Sequence, residues 1–386
     1  MRTLDFKNNA LFLACYHERN RPVLIFCLVG LIAAVFILAY LSFTVEKALM
    51  KDLLEGMFWV VLIMQSVLVT VVGTLFVWHM GAREKSSGTL DFHRSSPEPV
   101  ARKIIGLMLG STWLEWIIFG VLGVAGLVLV VFLNYRVEQV ILFNISVALT
   151  AVFLHITSAF FSLLSSGKQR HSLLVVFFLM WFAGPLFFMM SQMSALFVHL
   201  FGITAYRFLI PDAFKEINNV FFVFQLPDLA LQVMVQLPLA VLFVAGIKRI
   251  FCQPNSPVLS KPNVLRLCVF CLFLMVGFFI ASFVSLGEHL LNSVGQYDYR
   301  YYSLYYTKDA VNAFIGQGIA VYLGLFSVLG LVVACAGAPT YFQYMKRIVL
   351  MNREGAQKQG LFSDGASSLL PVAIYAALGA LLFGFY

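Results

Sequence analysis

Three polar side chains stand inside long apolar runs of the sequence, where an uncompensated polar group is costly. They are Gln65, Glu115 in the string TWLEW and His155 in the string FLHITS. A carboxyl group beside an imidazole can perform acid–base chemistry or line a polar path through a bilayer. It can also form a hydrogen-bonded pair that fixes two helices together, which is the reading that we favour. Glu115 and His155 fall toward the same end of consecutive runs, so they could contact each other or Gln65.

Known catalytic and metal-binding patterns are missing from the sequence. It has no Walker phosphate loop, no HExxH or GxSxG string and no paired-histidine metal spacing. Cys268 and Cys271 form a CxxC string, but they stand among Val, Phe and Leu, which favours apolar packing over redox or zinc chemistry. We therefore expect no catalytic residue, no metal site and no cofactor bound by this chain.

The composition indicates which elements hold these polar residues. The 386-residue chain is 61% hydrophobic and 11% charged, whereas a soluble domain is about 25% charged. Apolar runs of about 20 residues, enough to cross a bilayer as a helix, recur along the chain and do not alternate as barrel strands do. The sequence thus predicts an all-α polytopic membrane protein. Its predicted spans are residues 23–43, 57–78, 104–133, 140–164, 173–190, 229–247, 267–286, 311–336 and 369–386.

The positions of the basic residues predict the orientation. Most of the 26 Lys and Arg residues fall on the cytoplasmic side if the N-terminus is cytoplasmic and residues 194–210 form short outer helices instead of a span. No cleavage pattern follows the first run, so we expect it to be retained. The net charge of +8 then reflects orientation and anionic lipid, not nucleic acid. A multi-pass protein of the plasma membrane, such as a bacterial inner membrane, is expected.

The most informative loop lies between the second and third predicted spans and reads GAREKSSGTLDFHRSSPEPVARKIIGLMLG. Gly88 can end the preceding helix, and Thr89 or Ser87 can cap a new one. Pro97 can then stop the new helix. The sequence predicts a short cytoplasmic helix at about residues 88–97, although an ordinary polar turn is the alternative.

This loop resembles the corresponding loop of the type-two ABC transporter permeases, whose pattern is R-E-K/R-x-x-G-T-L-E followed by a short helix and a Pro. Seven residues match the pattern in order: Arg83, Glu84, Gly88, Thr89, Leu90, Asp91 and Pro97. The resemblance implies that the short helix is a coupling helix, which docks on a separate cytosolic ATPase. It also implies that Glu84 helps to fix the loop and that Leu90 and Phe92 contribute to coupling.

The resemblance also implies a division of the chain. Residues 1–22 would be an interfacial amphipathic segment, residues 23–250 a six-span permease core, and residues 251–386 an extension of about three spans. The chain would be the permease subunit of an ATP-driven transporter, an exporter, and not itself an enzyme. ATP and Mg would bind to the partner ATPase, and a second permease subunit would complete a homodimer or a heterodimer.

Two other functions remain open at this point. One is a membrane-embedded enzyme acting on lipid-linked substrates, with His155, Glu115 or His93 as the acid or base. The other is a secondary transporter, although the two halves of the sequence show no clear internal repeat.

Overall fold

A computed structural model describes a large part of the chain in the ranges given at the end of this paragraph. The segment predicted at residues 1–22 and the spans predicted at 23–43, 173–190, 311–336 and 369–386 lie outside the described residues. The described ranges are 47–164, 199–200, 204–209, 220–221, 224–253, 259–260, 262–267, 269–274 and 276–278.

The described residues are mostly helical. The bounds are α1 Lys47–Val67, α2 Gly73–Ser86, α3 Thr89–Ser95, α4 Val100–Leu133, α5 Val137–Leu164, α6 Thr204–Leu209, β1 Val220–Phe221, β2 Phe224–Gln225 and α7 Asp228–Cys252. Helices α1 and α2 form one continuous helix through a π-helical turn at Leu68–Val72. Helices α3 and α6 are short, and β1 and β2 form an antiparallel ladder that pairs Val220 with Gln225.

Four described helices are long and apolar enough to cross a membrane, which confirms the prediction of a polytopic helical protein. They coincide with the spans predicted at residues 57–78, 104–133, 140–164 and 229–247. A shorter apolar helix, Pro262–Phe278, overlaps the span predicted at 267–286 and includes residues outside the described set. The four long helices are Lys51–Ser86, Val100–Leu133, Val137–Leu164 and Asp228–Cys252.

Helices α4 and α5 are joined by a tight turn that makes them neighbours. Asn134 adopts a left-handed conformation with φ of 57° and ends α4 by donating its backbone N–H to the carbonyls of Val130 and Val131. Helix α5 then begins at Val137. The 34 residues of α4 extend over about 50 Å at 1.5 Å per residue, which exceeds the hydrocarbon thickness of about 30 Å.

The chain divides into two compact units, and the first includes α1 to α5 and residues 205–209 of α6. Helix α1 packs mainly against α4, whereas α2 packs mainly against α5. The core includes Phe58, Leu62 and Phe143, which are almost fully buried. Helix α4 also has an exposed apolar stripe that repeats every three or four residues, as a lipid-facing helix requires. The stripe consists of Ile117, Val121, Val124, Val128 and Val131.

The second unit is centred on α7. Leu231 and Val235 of α7 pack with Leu274 and Phe278 in an apolar cluster. Beside them, the Gln236 side-chain amide donates to the carbonyls of His199 and Leu200 at 3.0 and 3.1 Å.

Helix α6 lies within residues 194–210, where the sequence predicts short helices, whereas the β1–β2 ladder was not predicted.

Candidate interaction site at the loop between α2 and α4

The turn between α2 and α3 depends on Gly88. Ser87 ends α2 by donating its backbone N–H to the Arg83 carbonyl at 2.9 Å. Gly88 follows with φ of 78°, a left-handed conformation that glycine adopts without steric strain. Only Ser87 and Gly88 therefore separate α2 from α3.

The prediction that the side chain of Thr89 or Ser87 caps the new helix is wrong. Helix α3 starts after Gly88 without a side-chain hydrogen bond at its N-cap. The Ser87 hydroxyl donates instead to the Arg83 carbonyl, and the Thr89 hydroxyl donates to a carboxylate oxygen of Glu84. The hydroxyl groups that a cap would use are thus taken by the last turn of α2.

Glu84 ties α2 to α3 and is the centre of the loop. Its side chain is buried, with the residue 8% exposed. Its Oε2 atom accepts a hydrogen bond from Thr89 Oγ1 at 2.6 Å and lies 3.3 Å from His93 Nε2. A buried carboxylate without partners would be strongly destabilising, and these two neighbours compensate it.

Sequence reasoning did not connect His93 with Glu84. Thr89 and His93 are four residues apart, so they lie on the same face of α3. This spacing of four residues was the signal in the sequence, because Glu84 at the end of α2 can reach His93 if it binds Thr89. His93 is buried in this position.

The far end of α3 is fixed by a buried lysine. Ser96 has an extended backbone with ψ of 138°, as the residue before Pro97 should. Its carbonyl accepts a hydrogen bond from Lys103 Nζ at 2.9 Å. Lys103 belongs to the first turn of α4, so α3 is held at one end by α2 and at the other by α4.

The remaining predicted loop residues separate by burial. Leu90 faces inward and is buried, whereas Phe92 is 68% exposed. Asp91 forms an ion pair with Arg94 on the exposed side. Arg83 and Pro97 are also exposed. The loop therefore presents one large aromatic ring, beside an ion pair, on a helix that is fixed at both ends.

Gln65 and His155 make contacts that the sequence did not suggest. Gln65 Nε2 donates to Asn144 Oδ1 at 2.7 Å and to the Phe119 carbonyl at 3.0 Å. His155 Nε2 lies 2.9 Å from the Val69 carbonyl. Glu115 is buried on α4, and neither of these contacts is to its carboxylate. Gln65 and His155 therefore join helices, with their contacts one turn apart on the continuous α1–α2 helix.

The His155 contact lies at the π-helical turn. A π turn widens the helix and displaces a carbonyl from the regular α-helical pattern. Here the Val69 carbonyl is within that turn, and a protonated Nε2 of His155 can donate to it. His155 also lies edge-on to Trp116, with 6.0 Å between ring centroids. The geometry suits a structural hydrogen bond between α5 and the π turn.

Among the residues that the structure describes, no group of three or more His, Cys, Asp or Glu side chains could hold a metal ion. No family model, no curated protein and no solved structure matches the chain. The geometry of the loop is therefore the basis for a functional proposal.

Proposed function

We propose that this protein is the permease subunit of an ATP-driven ABC transporter of the type-two class, and that α3 is its coupling helix. ATP and Mg would bind to a separate cytosolic ATPase, and a second permease subunit would complete the transporter. In this proposal the N-terminus and the α2–α4 loop are cytoplasmic, the membrane is the plasma membrane, and the direction of transport is export.

The observation that carries the proposal is the exposure of Phe92 on a helix with both ends fixed. An exposed aromatic ring that loses little entropy on binding is a typical hot spot of a protein interface. Phe92 is 68% exposed, while its neighbours Leu90 and His93 are buried against the protein. A partner that covers Phe92 would therefore gain apolar contact without reorganising the loop.

The polar contacts of the loop support a role in force transmission. Glu84 holds the first turn and His93 of α3, and Lys103 holds the carbonyl that follows α3. A short helix with free ends would bend when pushed, whereas one held by α2 and α4 displaces both helices. This property is what an ATPase needs in order to drive a permease.

The experiment is a capture of the complex from the cells that make it. An affinity-tagged full chain is purified in mild detergent, and the eluate is assayed for a bound subunit that hydrolyses ATP. We expect Phe92→Ala to reduce the retained ATPase by about tenfold or more, as expected for an interface hot spot. Phe132→Ala is the matched control because Phe132 is 70% exposed and lies at the opposite end of α4.

Failure of the wild-type chain to retain any ATPase would refute the proposal, and so would two further results. One is equal retention of the ATPase by the wild-type chain and both phenylalanine variants, which would remove α3 from the interface. The other is conversion of a lipid-linked substrate by the purified chain alone, with the activity abolished by His155→Ala. That second result would establish the enzyme alternative instead.

A further inference from the structure

The last turn of α2 contacts two different helices through consecutive residues. Glu84 contacts Thr89 and His93 of α3. The next residue, Lys85, donates from Nζ to the carbonyls of Leu163 and Leu164 at 2.7 and 3.0 Å. Those carbonyls belong to the last two described residues of α5. The turn is therefore a junction between α3 and α5.

The chemistry of the Lys85 contact favours a firm attachment. A hydrogen bond from a charged ammonium group to a carbonyl oxygen is stronger than one between two neutral groups. An ammonium group supplies three N–H donors, so it can bind both carbonyls together. Lys85 is partly buried, which shields the contact from water.

Helices α2 and α5, which Lys85 connects, also contact each other further along their length. The Ser158 hydroxyl of α5 donates to the Thr74 carbonyl of α2 at 2.8 Å. Gly81 of α2 lies so close to Ser162 that a Cβ atom at this position would overlap the Ser162 hydroxyl. Because Lys85 continues this series at the loop end, α2 and α5 are attached from the π turn to the loop.

We infer that Lys85 is a positioning residue that joins α3 to α5, so that a displacement of α3 moves α5 together with α2. Its use in transport rests on the proposed function, in which the ATPase moves α3. The attachment itself is a property of this chain and is tested without a partner.

The test measures amide hydrogen exchange of the purified full chain in lipid nanodiscs. Thr89→Val removes the hydroxyl that binds Glu84 while keeping the shape of the side chain. We expect this change in α3 to raise exchange in residues 158–164 on the order of tenfold, because the last turn of α2 loosens its hold on α5. In the Lys85→Met background, exchange at 158–164 is already raised, and Thr89→Val adds no further increase there.

Lys85→Arg serves as the rescue, because a guanidinium group also donates to carbonyl oxygens. It should keep wild-type exchange at 158–164 and restore the response to Thr89→Val. If Lys85→Met does not fold, Lys85→Gln takes its place as the background for Thr89→Val, because the Gln side chain is a shorter donor. Unchanged exchange at 158–164 in Lys85→Met, or an equal response to Thr89→Val in every background, overturns the inference.

Failure of the proposed function and failure of the Lys85 inference give different experimental results. If no ATPase is retained by the wild-type chain but the exchange pattern is as expected, the junction stands and the transporter assignment falls. If an ATPase is retained, ATP with vanadate should change exchange in both α3 and residues 158–164 of the wild-type complex. Lys85→Met should keep the change in α3 and lose the change in residues 158–164 of α5. If Lys85→Met keeps both changes, the inference is contradicted.

Discussion

Substitution of Gly73 by Ala is the sharpest test of how α2 packs against α5. Gly73 is the first residue of α2, directly after the π turn. A Cβ atom at this position would lie 2.6 Å from His155 Nε2 and 3.2 Å from His155 Cε1. The imidazole is fully surrounded by protein, so it cannot move aside without losing its contact with the Val69 carbonyl.

The size of the effect follows from three contributions. Loss of the His155 hydrogen bond leaves a buried polar group unsatisfied, at a cost of about 1–3 kcal/mol. Overpacking at a filled position costs about another 1–3 kcal/mol. Ala is favoured over Gly within a helix by about 1 kcal/mol, which offsets part of this loss. We therefore expect Gly73→Ala to lower the free energy of unfolding by about 1–5 kcal/mol.

The assay is unfolding of the full chain in detergent micelles, followed by tryptophan fluorescence and compared between variants. Gly56→Ala is the matched control on α1, because a Cβ atom there would meet nothing within 4 Å. It should be neutral or stabilise the protein by up to about 1 kcal/mol. In a His155→Ala background, the nearest remaining atom to a Cβ at Gly73 is Thr112 Cγ2 at 3.6 Å, an ordinary contact.

The sign of the Gly73→Ala effect should therefore reverse in that background. Gly73→Ala should destabilise the wild-type chain but be neutral or stabilising once His155 is Ala. Equal destabilisation in both backgrounds would show that His155 is not the obstacle. A Gly73→Ala variant as stable as Gly56→Ala would refute the packing argument altogether.

Two further substitutions test the loop and the intramembrane amides. Glu84→Ala should raise amide exchange in α3 on the order of tenfold, because Thr89 and His93 lose their common partner. Ser86→Ala is the exposed control, and an equal rise of exchange in that variant would contradict the prediction. Asn144→Leu should destabilise by about 1–3 kcal/mol because Gln65 Nε2 loses its buried acceptor. Adding Gln65→Leu should recover most of that stability, since both partners are then apolar, and unfolding that shows no recovery would exclude this pairing.

Hydropathy predicted the long helices well but their ends less well. The span predicted at residues 57–78 is part of a helix that continues to Ser86. Its last residues, including Arg83 and Lys85, are charged and are therefore invisible to a pattern of apolar residues. They remain helical because Glu84 and Lys85 find partners on α3 and α5. Tertiary contacts, not local hydropathy, thus extend the helix.

The π turn had no signal in the sequence. Residues 68–72 read LVTVV and are as compatible with a regular helix as their neighbours. The contact that accompanies the turn comes from His155, 86 residues further along the chain. His155 was singled out as a polar residue in an apolar run, but its partner is a backbone carbonyl, and sequence gives no means to identify one. Gly73 would have been the only local hint.

Leu90 and Phe92 show why a docking surface requires the structure as well as the sequence. Both are apolar residues of the same short helix, and in the sequence either could contact a partner. Leu90 is buried against its own protein, so replacing it destabilises the loop and reduces partner binding whatever the role of α3. Phe92 contributes little to that packing because it is mostly exposed. Only a loss of binding in Phe92→Ala, with stability unchanged, can therefore assign the docking surface to α3.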